Sequence, residues 1–369
     1  MKVLSLFDGI SCGRVALERA GIPVERYVAY EIDKYAIKTS KKNYPLIEHC
    51  GDVTTADYTQ YKGFDLLIGG SPCTYWSIAK RNRETTCDGE GFKLFMQYIR
   101  AWRESSCRYF LYENNQSIHK DIKEEISRLL GVEPIMINSA LVSAQSRKRC
   151  YWTNISGVTK PEDRGIFLKD IVEIGIPWQG KSYCLTANYG SGTLKNTLER
   201  CQRTMIAEPV SCAIRSRYIN SGNRAVKCDG GTYPSIETRK DGKVNCMTTV
   251  TKDSMVLHPL RIGDIGSNSQ GHRVYSVQGK SVTLSANGGG QGGSTGLYKI
   301  NLPDGEYIIR KLTPVECERL QTLPDNYTFG VSNTQRYKQL GNGWTVDVIT
   351  HILKNICLLY TSPSPRDRT

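Results

Sequence analysis

The sequence predicts an α/β protein: a parallel sheet covered on both faces by helices, interrupted by an inserted, mostly β or irregular segment. Two observations carry that expectation. From residue 1 to 155 short apolar runs alternate with helical patterns, the strand–helix repetition of a parallel sheet. From 166 to 304 Gly, Ser, Thr and Asn rise and helical periodicity fades, and regular patterning returns near 306. The expected organisation is a sheet-bearing segment 1–165, an insertion 166–304, a returning segment 305–360 and a tail 361–369.

The elements follow in order. Val3-Leu4-Ser5-Leu6-Phe7 reads as a strand, and Cys12 to Ala20 as a helix stopped by Gly21, since glycine takes the left-handed position that ends a helix. Tyr27-Val28-Ala29-Tyr30 is the next strand, Lys34 to Lys42 the next helix, and a third strand ends at Gly51-Asp52-Val53. The apolar run Phe64-Asp65-Leu66-Leu67-Ile68, closed by Gly69-Gly70 and Pro72, predicts a buried strand breaking into a loop. Helix 92–103, strand 109–112, helix 119–130 and a strand over Cys150-Tyr151-Trp152 complete the first segment.

Within the insertion a loose repeat recurs: Lys181-Ser182-Tyr183-Cys184-Leu185-Thr186-Ala187-Asn188, then Lys243 to Thr249, then Lys280 to Asn287. Its unequal spacing excludes a solenoid. Two readings stay open for it, simple hairpin chemistry or strands lining a surface for a polymer backbone. Further on, Ile308-Ile309-Arg310-Lys311-Leu312-Thr313-Pro314-Val315-Glu316 gives a strand and then a capped helix, with Thr313 at the cap, Pro314 at N1 and Glu316 at N3. Val346 to Leu359 puts Val346, Ile349, Ile352, Leu353 and Ile356 on one helical face. Ser362-Pro363-Ser364-Pro365 and the residues after it show no folding pattern and read as a terminal artefact.

A net charge of +13 favours a polyanionic partner. No apolar stretch approaches the roughly 18 residues that cross a bilayer, and Met1-Lys2-Val3-Leu4 enters a strand directly. Neither a membrane span nor a signal peptide is expected. The 13 cysteines contain no C-x-x-C pair, which argues against zinc and against a disulfide framework. A reducing, cytoplasmic setting is the expectation.

Chemistry is expected at the strand ends. Phe7-Asp8-Gly9-Ile10-Ser11-Cys12-Gly13 joins the first strand to the first helix, where glycines let a backbone approach a ligand at a helix N-terminus. The second strand ends in Tyr30-Glu31-Ile32-Asp33, acids placed for ribose hydroxyls. Asp52 suits an adenine amino group, so three strand ends point to a nucleoside cofactor, and no P-loop signature is present. Cys73, in Gly69-Gly70-Ser71-Pro72-Cys73-Thr74, is a candidate nucleophile, and Glu113, in Glu113-Asn114, its acid partner. With only 5 histidines and none nearby, cations are the expected stabilisers of a thiolate. Gln145-Ser146-Arg147-Lys148-Arg149 supplies them, or else guards the edge of a sheet.

The ordered series Phe7-Asp8-Gly9, Glu31, Asp52, Ser71-Pro72-Cys73, Glu113-Asn114, Gln145-x-Arg147-x-Arg149, Arg310-x-Leu312-Thr313-Pro314-x-Glu316 with Leu320-Gln321, and Gln339-Leu340-Gly341-Asn342 resembles the DNA cytosine-5 methyltransferase family over about residues 1–358. Its Phe-Asp-Gly-Ile opening and Gly343-Trp344 ending look closest to bacteriophage-type members and animal de novo enzymes. Ser11 for a glycine, Asn115 for a valine, and Thr74 after the cysteine depart from the common pattern without removing a reacting group.

The resemblance implies a Rossmann-like fold with an inserted target-recognition domain, S-adenosylmethionine as cofactor and no metal. It assigns Cys73 to C6 of a flipped cytosine, Glu113 to N3 and Arg147 to the activated base, with Arg149 and Gln145 ordering the pocket. Phe7, Asp8, Gly9, Ile10, Glu31, Ile32, Asp52, Val53, Pro72 and Asn342 fall to the cofactor. The implied partner is double-stranded DNA, gripped by residues such as Arg215, Arg217, Lys227, Arg239 and Arg273. A monomer in a bacterial or phage-infected cytoplasm is expected, with room for a companion restriction endonuclease. The other readings weighed are the same chemistry on tRNA and a non-catalytic, cofactor-binding regulator.

Overall fold

The computed structural model describes residues 1–77, 82–191, 200–209, 211–218, 232–238, 255–256, 261–264, 273–275 and 307–361. It divides into two compact units, one comprising 1–171, 181–191 and the chain from Thr313, the other 172–180 and 192–312. These boundaries differ from the compositional ones: the first copy of the Lys-led repeat belongs with the sheet, and the strand before Thr313 belongs with the insertion.

The first unit is built on a 7-stranded sheet. Its strands are β1 (Lys2–Leu6), β2 (Arg26–Tyr30), β3 (Glu48–His49), β4 (Leu66–Gly69), β5 (Tyr109–Asn115), β6 (Ile135–Asn138) and β7 (Lys148–Thr153), in the order β3-β2-β1-β4-β5-β7-β6. Neighbours from β3 through β5 are parallel, whereas β7 runs antiparallel to both β5 and β6. β6 is absent from the sequence reading, because its four residues carry too little apolar alternation to mark a strand. Val3, Leu4, Leu6, Val28, Leu66, Leu67 and Leu111 are buried, as strands covered on both faces require.

Local signals set the helix ends. Helix α1 (Cys12–Arg19) closes on Gly21, whose N–H reaches Glu18 O while that of Ile22 reaches Leu17 O, the paired bonds of a Schellman motif. Helix α2 (Lys34–Asn43) is capped by Asp33, which accepts from the amides of Tyr35 and Ala36. The sheet also carries α3 (Glu90–Ser105) and α4 (Lys120–Leu130). Past the insertion come α5 (Pro314–Leu320), α6 (Asn333–Asn342) and α7 (Val346–Thr361). The expected capping box at α5 is formed, with Glu316 N donating to Thr313 Oγ1 at 3.1 Å and Thr313 N to Glu316 Oε2 at 2.8 Å. All five apolar residues assigned to one face of α7 are buried, and α7 packs on α1.

The second unit is antiparallel β. β8 (Met205–Pro209) pairs with β14 (Tyr307–Lys311), β9 (Ser211–Tyr218) lies between β10 (Thr232–Thr238) and β11 (Met255–Val256), and β12 (Arg261–Asp264) pairs with β13 (Arg273–Tyr275). Arg215 and Arg217 stand two apart on β9, and Arg273 opens β13. Lys227, Arg239, the second and third copies of the repeat and residues 362–369 lie outside the described residues. Among the described residues no helix is long and apolar enough to cross a membrane.

The α5–α6 connection is pinned by a buried charge. Glu318 is fully buried and accepts from Asn326 N at 2.6 Å, Thr328 N at 2.8 Å, the Thr328 hydroxyl and Arg336 Nη2 at 2.9 Å. Removing one partner of such a pair leaves an uncompensated interior charge. Arg336→Met is therefore expected to destabilise this unit by about 3–5 kcal/mol, read as a lowered urea midpoint. A midpoint equal to the wild type's would show that the ion pair does not hold α6.

Candidate active site

A cavity of about 340 Å³ opens within the first unit at the C-terminal edge of the parallel strands. The sheet order reverses direction at the β1–β4 border, and open α/β sheets bind ligands at such a switch point. The cavity extends from Glu31 and Asp52 at one end to Cys73, Glu113 and Arg149 at the other.

The Glu31 end is organised by backbone amides. Glu31 Oε2 accepts from Gly9 N at 2.8 Å, and Oε1 from Ile32 N at 2.9 Å and Asp33 N at 2.8 Å. A carboxylate offers about four lone-pair sites, so one acceptor position remains for a hydroxyl. Burial pushes this carboxyl above its ordinary range against the pull of those amides. Asp52 Oδ1 accepts from Thr54 N at 2.8 Å and Thr54 Oγ1 at 2.9 Å, which leaves Oδ2 for an amino group. Asp8 differs. Its carboxylate takes the hydroxyls of Ser5 at 2.6 Å, Ser11 at 2.5 Å and Tyr27 at 2.7 Å, so it braces the loop. Ile10 and Val53 are buried, Phe7 is half-buried, and Ile32 and Pro72 are exposed.

The reacting end converges from three strands. Cys73 follows β4 on a short 3-10 turn and is half-buried. Asn114, at 1 % exposure, ties that loop down: its Nδ2 donates to Ser71 O at 3.1 Å and to Tyr112 Oη at 3.2 Å. Glu113 Oε1 faces Arg149 Nε at 2.8 Å, and its Oε2 accepts from Trp344 Nε1 at 2.9 Å. A Cβ at Gly70 would stand 2.8 Å from Glu113 O and 3.0 Å from Glu113 Oε2. Glycine there lets the cysteine loop lie against the acid.

Arg147 and Arg149 both line the cavity and make different contacts. Arg147 is buried and donates to Leu185 O at 3.0 Å, Gly341 O at 3.2 Å and Gly343 O at 3.0 Å. These contacts turn its guanidinium to main-chain carbonyls, and the guanidinium on Glu113 is that of Arg149. Gln145 is fully buried, taking Leu185 N at 2.8 Å and donating to Leu320 O at 3.3 Å. An edge-guard role for this run is excluded, because β7 lies inside the sheet between β5 and β6. Asn342 lines the cavity and is exposed.

Two site residues escaped the sequence reading. In the sequence Trp344 stands out only as part of an ending, and Cys184 only as a member of the repeat. Cys184 Sγ lies 3.4 Å from Arg147 Nη1. Burial opposes its ionisation, yet Arg147 and Arg149 outweigh that and hold the thiol below its ordinary value. Burial likewise works against the charge of Arg149, but Cys184, Glu113 and Cys73 together push its guanidinium upward. Cys12, also beside the cavity, is pushed up by burial to about 12, an inert thiol.

Comparison with known proteins fits this geometry. The family model described as C-5 cytosine-specific DNA methylase matches residues 1–357. The chain is 26% identical over 434 residues to the orphan methyltransferase M.SPRI of Bacillus phage SPR, covering 98% of each. To the type II methyltransferase M.HhaI of Haemophilus parahaemolyticus it is 26% identical over 356 residues, covering 96% of this chain and 94% of that one. In fold it is similar to a putative DNA modification methyltransferase encoded within an E. coli prophage, with a TM-score of 0.52, 21% identity and coverage of 98% and 100%. Spodoptera frugiperda DNMT2 gives a TM-score of 0.56 at 15% identity, with coverage of 96% and 99%. The sheet, the strand-end cavity and a match along almost the whole chain agree: this protein belongs to the C-5 cytosine-specific DNA methylase family.

Proposed function

We propose that the chain transfers a methyl group from S-adenosylmethionine to C5 of cytosine in a specific double-stranded DNA sequence, through a covalent bond between Cys73 and C6 of a flipped base. The supporting observation is one cavity with a thiol and a guanidinium-held carboxyl at one end and two carboxylates with open acceptor positions at the other. Glu31 would hold the ribose hydroxyls and Asp52 the adenine amino group, with Gly9 and Asn342 lining the path between the two ends. When bound, the cofactor supplies an electrophilic methyl group on a sulfonium.

Cytosine C5 is too weak a nucleophile to take that methyl unaided. Cys73 as thiolate adds to C6, and the displaced ring electrons move toward N3, where Glu113 places a proton. C5 then has enamine character and would take the methyl group as the donor's S–CH3 bond breaks, leaving a neutral thioether. Loss of the C5 proton to water, with expulsion of Cys73 and return of the N3 proton, restores the ring. Arg149, facing Glu113, would meet the base oxygen, the part that the resemblance gives to Arg147. Flipping the base costs a few kcal/mol, and the basic insertion, including Arg215, Arg217 and Arg273, would repay it through phosphate contacts. The protein acts as a monomer, alone or beside a restriction endonuclease.

Bisulfite sequencing of DNA from cells expressing the chain tests the reaction and its target together; in an incubation with labelled S-adenosylmethionine, DNA and tRNA, label entering tRNA alone would overturn it. Cys73→Ala is expected to abolish both methyl transfer and the covalent adduct with 5-fluorocytosine DNA, whereas Cys184→Ser still forms the adduct. Glu113→Gln should slow transfer by roughly 10²–10⁴-fold, as loss of a general acid does. Glu31→Ala should weaken S-adenosylhomocysteine binding by about tenfold or more in calorimetry, the worth of one hydrogen bond to a charged group. Unchanged affinity would remove Glu31 from the cofactor site.

A further inference from the structure

We propose that Trp344 is a positioning residue of this reaction, holding the Glu113 carboxyl toward the base and meeting the negative charge left on it when its proton moves to N3. The inference rests on the function proposed above. An indole N–H donates and never accepts, so its 2.9 Å bond to Oε2 complements the ionised acid. Arg149 Nε holds the other oxygen at 2.8 Å. The two donors come from unrelated parts of the chain, one at the start of β7 and one just after α6, and together they fix the carboxyl at both oxygens. Gly70 forms the third side, since even a Cβ there would press on Oε2 at 3.0 Å and stand 3.5 Å from Trp344 Nε1.

The indole is itself held in place. The preceding carbonyl, Gly343 O, accepts from Arg147 Nη2 at 3.0 Å and from Gln321 Nε2 at 3.2 Å. The next side chain, Thr345, donates to Gln321 Oε1 at 2.9 Å and accepts from Ser139 Oγ at 2.9 Å. Trp344 is only half-buried, and its N–H is aimed at a carboxylate. This points to a task beyond packing. As the Cys73 thiolate adds to C6, charge passes to N3, N3 takes the proton, and Glu113 becomes a carboxylate between two donors already in position. Donors that strengthen as charge forms lower the barrier and leave ground-state binding alone. The role of Arg147 follows from the same chain of contacts: by holding Gly343 it holds Trp344.

The test uses the full chain. Trp344→Phe keeps an aromatic ring and deletes the donor. We expect kcat to fall by about ten- to a hundredfold, the worth of a hydrogen bond to a charged group. The KM for DNA and the Kd for S-adenosylhomocysteine should change by less than about threefold. Combined with Glu113→Gln, the substitution should cost far less than it does alone, as coupled residues do in a double-mutant cycle. A kcat within about twofold of wild type, or fully additive losses, would overturn the proposal. Nitrogen-15 spectra test the contact without turnover: the Trp344 indole resonance should shift in Glu113→Gln, and a resonance indifferent to that change would equally overturn it. A wild-type chain that methylates no cytosine in DNA would instead refute the underlying functional reading, with the indole spectrum still reporting on the bond.

Discussion

A carboxylate and a guanidinium that meet diagonally across an antiparallel strand pair set the terms for the rest of this site. Glu113 stands opposite Tyr151 and Arg149 opposite Asn115, so the two charged residues are diagonal neighbours, within reach of long side chains. Their side chains are 10% and 12% exposed, and desolvating each ion costs several kcal/mol unless its partners fit closely. The direction of β7 makes the meeting possible. Running against β5, it brings its first residues beside the last of β5, at the edge where β4 delivers Cys73. A parallel strand in that position would have offered its far end instead.

The same motif ties the distant parts of the chain together by alternation. Gln145 accepts Leu185 N and donates to Leu320 O; Arg147 donates to Leu185 O and to two carbonyls of the 341–343 stretch; Arg149 takes Glu113. Gln145 and Arg147 therefore grip the 185 segment from its amide and its carbonyl and fasten it to the 320 and 341–343 stretches, while Arg149 turns to the acid. Close approach is part of the fit: a Cβ at Gly341 would lie 2.2 Å from the Thr186 carbonyl carbon, so only a glycine lets the first repeat copy dock. That docking explains why residues 181–191 belong with the sheet, although composition groups them with the insertion.

What was legible in the sequence was what local chemistry decides. Gly21, Asp33 and the Thr313–Glu316 box act within a few residues of themselves, and the parallel strands announce themselves as apolar runs. That Cys73 and Glu113 line one cavity was legible because each lies on or just past the end of an apolar strand run. The partners of Arg147 were hidden for the opposite reason, since they lie 38, 194 and 196 residues away and nothing nearby reveals them. Trp344 reaches Glu113 across 231 residues and was hidden in the same way. Ser11 shows a local signal obscured by substitution. It takes φ 62°, a left-handed value suited to glycine, and its hydroxyl bridges Asp8 and Ser40.

Counting acceptors explains why carboxylates of one type have separate fates in this unit. Glu318 takes four donors and Asp8 three hydroxyls, so both are anchors. Glu31 takes three amides and Asp52 two donors on one oxygen, so both keep a position for a ligand. Glu113 keeps room on both oxygens, with one donor on each. In the proposed reaction, a group that gives up a proton and receives it back needs that intermediate condition. Full saturation would fix it as a permanent anion, and no donors at all would leave its charge without support at the moment it forms.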